Sequence, residues 1–313
     1  MTPRESLRTA LQAGTHPGPP PHLGLEYQLT EITPGIEQAA LRTPMLEGVT
    51  GAPRQDLLKR NAEMWVKVAE RFDWSCITGL HWLPLEDQCR SFEYVREIAG
   101  DTYMLSAFAD GTFGIPGGSN MMEHVVWLRD SEEEALESAQ RNIDADAEHI
   151  RTATAAGAEV IFMCADYCFN DGPFLSPRMF AKFVTPFLKQ QADNIHACGA
   201  FSVKHTDGDI MPILDQLVDS GVDALHSLDP MAGVDIAEVK RLYGDRIALI
   251  GNVNCAWVQA GTREQIEQSA RYCLEHGGAR QGGYVYATSN CIFAGVPLEN
   301  YEWMLNVREK YAS

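Results

Sequence analysis

From Asp73 onward the apolar residues fall into short runs, each bounded by turn-forming residues and separated from the next by a longer stretch of helical period. Seven of these runs read as strands: Trp74 to Gly79, Tyr103 to Phe108, Glu159 to Cys164, Phe201 to Lys204, Ala224 to Ser227, Ile247 to Gly251 and Tyr284 to Thr288. Between and after them the spacing predicts helices over Asp87 to Ile98, Ser131 to Ala155, Ser176 to Ala197, Ile210 to Asp219, Ile236 to Tyr243, Thr262 to His276 and Leu298 to Lys310. Ser131, Ser176 and Thr262 stand at N-cap positions, with Glu134 and Gln265 where a capping box places its return residue. Strands alternating with helices imply a parallel sheet, and this many units fit a single closed (β/α)8 barrel of the TIM type. A doubly wound sheet is the runner-up. No Gly-x-Gly-x-x-Gly run follows a strand, and the Gly-rich stretch Asp110 to Gly118 has neither that spacing nor a P-loop lysine.

Before Asp73 the pattern is less regular. A helical segment over Pro3 to Ala13 ends at the Pro- and Gly-rich residues 14–22, residues 23–50 show no clear period, and Arg54 to Phe72 is again helical. We therefore expect an N-terminal helical arm and cap over residues 1–50, and a barrel domain over residues 51–313.

Composition narrows the function. Of the 313 residues 45% are hydrophobic, enough for a sizeable core, and 43 acidic against 25 basic residues give a net charge of −18. Such a surface repels phosphate backbones, so nucleic acid is not an expected partner. No apolar run approaches the roughly 20 residues that cross a bilayer, and the first residues lack a secretory pattern, so no membrane association and a cytoplasmic address are expected. Eight cysteines without a secretory signal read as reduced thiols. The oligomeric state is left open, with a homodimer among the choices.

In a barrel the chemistry gathers where strands end and helices begin. Lys204-His205-Thr206-Asp207-Gly208-Asp209 is such a junction, and His205-x-Asp207 puts two side chains on one side of an extended segment, suited to adjacent ligands on one cation. Asp229, Cys255 and Cys291 follow later strands, and Cys255 and Cys291 are candidate thiolate ligands beside His205 and Asp207. The blander reading is a capping Asp, a hydrogen-bonded His and two buried thiols. Asp166 and Asp171, after the third strand, suit general acid/base work together with Asp207, although Asn170-Asp171-Gly172-Pro173 is also good turn chemistry. His81, Trp82, Phe108, Asn252 and Phe293 are candidate substrate-binding residues at the mouth. His226, inside a strand, reads as packing.

In the second half these segments resemble the uroporphyrinogen decarboxylase superfamily, including its zinc-dependent, corrinoid-linked methyltransferase branch. The resemblance rests on Gly157-Ala158-Glu159-Val160 with Asp166, Phe174-Leu175-Ser176-Pro177-Arg178-Met179-Phe180 with Pro186, His205-Thr206-Asp207-Gly208-Asp209, Gly221-Val222-Asp223-Ala224, Gly251-Asn252-Val253-Asn254 and Pro297-Leu298-Glu299-Asn300, in that order. It implies a barrel whose open end serves methyl transfer between a small methylated substrate and a corrinoid (cobalamin) carried by a separate protein, with zinc as Lewis acid. In that branch a His-x-Cys pair and a distant Cys hold the zinc. Here His205 matches the His, Asp207 stands at the first Cys and Cys291 matches the last, with Cys255 or Asp229 left for the remaining ligand. The rivals are a metal-free decarboxylase using Arg178 and Lys204 for substrate carboxylates, and a non-catalytic ligand-binding barrel.

Overall fold

A computed structural model describes residues 1–15 and 18–312; His16 and Pro17 of the Pro-rich segment lie outside the described residues. Seven strands form one parallel sheet: β1 (Cys76–Ile77), β2 (Met104–Phe108), β3 (Val160–Met163), β6 (Phe201–Thr206), β7 (Ala224–Ser227), β8 (Ala248–Val253) and β9 (Tyr284–Thr288), in that spatial order. The remaining two, β4 (Cys168–Phe169) and β5 (Gly172–Pro173), are a small antiparallel hairpin outside it. All seven strands expected from the apolar runs are present. The two edges of the sheet are joined through His22, which bridges Trp74 beside β1 and Tyr286 in β9, both in parallel sense. Seven strands pair as ladders, and the eighth place in the ring is held by this one-residue link.

Along each strand alternate residues turn inward. Met104, Val160, Phe162, Val203, Ala224, Ala248, Ile250, Val285 and Ala287 pack together inside the ring. Helix α1 (Pro3–Leu11) fills one end of this interior with Leu7, Ala10 and Leu11. Arg4 and Arg8 of α1 pair with Glu159 at the start of β3, which also binds Arg96. The outward residues Leu105, Ile161, Leu225 and Leu249 meet the helices in the second, larger core.

The helical layer comprises α2 (Gly51–Arg71), α3 (Leu85–Ala99), α4 (Met121–Asp130), α5 (Glu132–Ala155), α6 (Pro177–Phe183), α7 (Thr185–Ala197), α8 (Leu214–Asp219), α9 (Ile236–Tyr243), α10 (Cys255–Ala260), α11 (Arg263–His276) and α12 (Leu298–Ala312). Where one helix is expected over Ser176 to Ala197, the chain makes two. Pro186 lies in the first turn of α7, where its missing N–H costs nothing, and the break falls at Val184. Thr262 and Gln265 form the expected capping box, and Ser176 accepts from the Met179 N–H. Ser131 makes no side-chain cap bond, so the box expected with Glu134 is not formed. Among the described residues, no helix is long and apolar enough to cross a membrane.

Candidate active site

The inward row of β6 runs from Val203 to His205, and the ladder sets His205 beside His226 of β7. The two imidazoles meet inside the ring, with Nδ1 of one 2.7 Å from Nδ1 of the other. Burial lowers the affinity of both rings for a second proton, taking His205 to about 3, so both are neutral. His226, which reads as packing in the sequence, is thus the direct partner of a candidate ligand.

Asp207 follows two residues after His205, its Oδ1 3.7 Å from His205 Nε2. Three loops hold it. Ser227 Oγ at the end of β7 donates to Oδ1 at 2.7 Å, Asn290 Nδ2 after β9 donates to Oδ2 at 2.5 Å, and the Asp207 N–H donates to Asp166 Oδ1 at 3.0 Å. Burial raises the Asp207 carboxyl to about 6, the Ser227 and Asn290 bonds oppose that rise, and the charges of Asp166 and Asp229 add to it. Gly208 makes the turn that follows, at φ +84°, where a Cβ would stand 2.6 Å from the Cys168 carbonyl oxygen. The loop therefore lies against the β4–β5 hairpin, with the Asp209 N–H bonded to the Phe169 carbonyl.

Asp166, His205 and Asp207 each offer a ligand atom within 4.8 Å of the others'. Among the described residues this is the one such group of three or more His, Cys, Asp or Glu side chains. One imidazole nitrogen and two carboxylates fit a divalent first-row cation, zinc included, with room for further ligands. Neither expected cysteine is in the group. The Cys291 thiol is raised by burial and by the carboxylates of Glu26 and Asp207, which disfavours the thiolate, and the residue's own N–H is taken by Asn290 Oδ1 at 2.7 Å. Cys255 opens α10, and burial raises its thiol as well.

The remaining expected residues are placed as follows. Asp171 is exposed in the turn of the β4–β5 hairpin, as turn chemistry suggests. Asn252 is buried with Nδ2 donating to the Leu228 carbonyl at 2.6 Å and Oδ1 accepting from Cys273 Sγ at 3.2 Å, so its amide serves the scaffold. His81 lies between Trp82 and Phe108, at ring separations of 4.4 and 4.0 Å, with Phe162 beyond Phe108 at 5.4 Å and Arg42 over Trp82 at 4.1 Å. These rings form a self-stacked column, so much of their apolar face is spent on one another. Phe293 is partly exposed in the loop after β9. Asp229 caps the turn Pro230–Ala232 through the Met231 N–H.

Of Lys204 and Arg178, the cations expected to serve a decarboxylase, the first is engaged within the fold and the second is exposed. Lys204 is fully buried, with Nζ 2.6 Å from Asp110 Oδ2 and 2.7 Å from the Ala165 carbonyl. Asp110 also accepts from the Ala165 N–H and from Thr112, and this network fixes the loop that carries Asp166. Arg178 is exposed on α6.

Sequence reasoning missed Glu26, Asp110, Ser227 and Asn290. Glu26 Oε1 lies 3.5 Å from His81 Nε2, in a stretch without period. Ser227 ends a strand and Asp110 and Asn290 follow one, so the rule that strand ends carry the chemistry is the only signal that reaches them.

The family model described as Uroporphyrinogen decarboxylase (URO-D) matches residues 89–311, from α3 to α12. The chain belongs to this family. Among its relatives, the methylcobamide:CoM methyltransferase MtaA of Methanosarcina barkeri is 29% identical over 158 residues, covering 50% of this chain and 43% of that protein. This chain thus spans less than half the length of that relative. The uroporphyrinogen decarboxylase of Vibrio campbellii is 24% identical over 250 residues, 72% of this chain and 66% of the relative. A solved methyltransferase from Methanosarcina mazei superposes over 100% of both chains with a TM-score of 0.75 at 18% identity. At that identity the likeness speaks for the shared barrel fold, which agrees with the topology above. The URO-D family therefore counts both a methyltransferase and decarboxylases among the relatives of this chain.

Proposed function

We propose that this chain is a methyltransferase that moves a methyl group between the heteroatom of a small methylated compound and the cobalt of a corrinoid protein. The observation that carries the reading is the grouping of Asp166, His205 and Asp207 at the strand ends, three side chains whose donor atoms lie close enough together to hold a cation. The relation to the methylcobamide methyltransferase supports the choice of chemistry, and the engagement of Lys204 by Asp110 speaks against recognition of a polycarboxylate there.

In this reading Asp166, His205 and Asp207 hold a zinc ion. The bound ion supplies Lewis acidity toward the heteroatom that carries or receives the methyl group. Ser227 and Asn290 pin both carboxylate oxygens of Asp207, so the ligand meets the ion already oriented. Glu26 and His81 face each other at the mouth, where a proton can be held between Oε1 and Nε2 for the released heteroatom. The His81 tautomer is set by the Thr78 carbonyl, which accepts from Nδ1 at 2.8 Å.

The test is a methyl-transfer assay with zinc-loaded protein, free cob(I)alamin in place of the protein-bound corrinoid, and a panel of O-, N- and S-methyl compounds, followed by corrinoid absorbance. Turnover that needs zinc and is lost in Asp166→Ala and His205→Ala supports the reading. Turnover that persists in both variants, or none across the panel with loaded protein, overturns it.

A further inference from the structure

The pairing of His205 with His226 carries an inference about how the cation site is set. Both rings are buried, 6% and 1% exposed, and their Nδ1 atoms lie 2.7 Å apart. Two neutral imidazole nitrogens at that distance share one hydrogen, so the pair has two arrangements. With the hydrogen on His226, His205 carries its own on Nε2, toward Asp207, and has no lone pair there for a cation. With the hydrogen on His205 Nδ1, His226 Nδ1 accepts it and the His205 Nε2 lone pair is presented on the Asp207 side, 3.7 Å from Oδ1. In this second arrangement His226 carries its own hydrogen on the buried far nitrogen, Nε2, and the backbone of Thr288 acts on the ring in the sense that favours a hydrogen there.

Resting on the cation-site reading above, we propose that His226 is a positioning residue: it accepts the Nδ1 hydrogen of His205 and thereby keeps His205 Nε2 as the nitrogen donor to the ion. The β6–β7 ladder sets the two Cα atoms opposite each other, which places the acceptor without help from a loop. A ligating imidazole is commonly held by a carboxylate or carbonyl acting on its other nitrogen, and here a second imidazole takes that place. A buried Nδ1–H left without an acceptor would work against the metal-binding tautomer.

The experiment titrates Zn²⁺ and Co²⁺ into chelator-treated wild type, His226→Phe and His226→Gln, reading affinity by calorimetry and the Co²⁺ visible spectrum, with a thermal melt of each. Phe keeps the ring and removes the acceptor; Gln restores an acceptor oxygen. The expected result is folded His226→Phe with affinity weaker by about 10- to 100-fold and an altered Co²⁺ spectrum, and recovery of most of the affinity in His226→Gln. Folded His226→Phe with the wild-type affinity and spectrum overturns the proposal, because the ring then only fills space. Should His226→Phe fail to fold, ring 15N shifts of zinc-loaded wild type decide. A hydrogen on His205 Nδ1 supports the positioning role, and a hydrogen on His226 Nδ1 overturns it. Wild type that binds neither ion overturns the cation-site reading and this inference with it, whereas wild-type binding unmoved by His226→Phe overturns the inference alone.

Discussion

Ser227 Oγ donates a 2.7 Å hydrogen bond to Asp207 Oδ1 from a backbone held at φ +82°. A positive φ outside glycine is uncommon and costs of order 1 kcal/mol or more, so the end of β7 is strained at the point where it grips a site carboxylate. The bond favours the ionised carboxylate against burial, which raises the group to about 6. Protons and cation compete for Asp207, so affinity for Zn²⁺ should be level above about pH 6 and fall about tenfold per unit below it, as each binding event releases one proton. Ser227→Ala removes a bond to the ionised form and should move the break to higher pH. Calorimetric titrations across that range check this; equal affinity at about pH 5 and about pH 8 would contradict it.

Gly208→Ala tests the turn that carries Asp207. With φ at +84° and the Cys168 carbonyl 2.6 Å from the new Cβ, the loop must shift away from the hairpin. We expect a folded protein, destabilised by about 1–3 kcal/mol in urea, with clearly weaker Zn²⁺ binding. Unchanged binding would mean that Asp207 is held by Ser227 and Asn290 without the turn.

Lys204→Met should be costly, because it strands the Asp110 carboxylate, whose side chain is 8% exposed. Removing one partner of a buried pair typically costs about 3–5 kcal/mol. Adding Asp110→Asn should recover part of the loss, since the neutral amide carries no buried charge. Urea unfolding of the single and double variants measures both effects, and a single variant within about 1 kcal/mol of wild type would show that the pair contributes little.

The thiols offer a direct check on the ligand set. Burial and two carboxylates raise the Cys291 thiol, so it should react slowly with a thiol reagent near neutral pH. Cys291→Ser should retain Zn²⁺, while His205→Ala should lose it. Loss in both would bring the cysteine back into the ligand set and exclude the oxygen-rich group as the complete site.

Much of the barrel was legible because its strands are short apolar runs with turns on both sides, a pattern set by burial alone. Thus Tyr284 to Thr288 is found at its exact bounds. The site was legible where it follows a strand in sequence, as with His205, Asp207 and Asp166. It was not legible where the partner comes from elsewhere in the ring. Asn290 and Cys291 are neighbours in one loop, and only the fold shows that the amide, and not the thiol, reaches Asp207. His226 offered the same difficulty: an inward place on a strand suits packing and pairing equally, and the β6–β7 register decides between them. Helix α4 was missed because its exposed face carries Met122 and Val126, which blurs the amphipathic period.

The link through His22 has a consequence for how the chain reaches its native state. Its Nδ1 is bonded to the Tyr286 carbonyl, a partner 264 residues away, and its Nε2 to Tyr301. A chain emerging from the ribosome makes His22 long before Tyr286 and Tyr301 and must leave it without these partners until the last strand of the barrel has been synthesised. The ring is therefore completed late, by contacts between residues far apart in sequence, and loop-closure entropy of that size slows the final step relative to the local pairing of neighbouring strands. Until then, helix α1 has no finished interior to fill, and it is among the last elements to find its place.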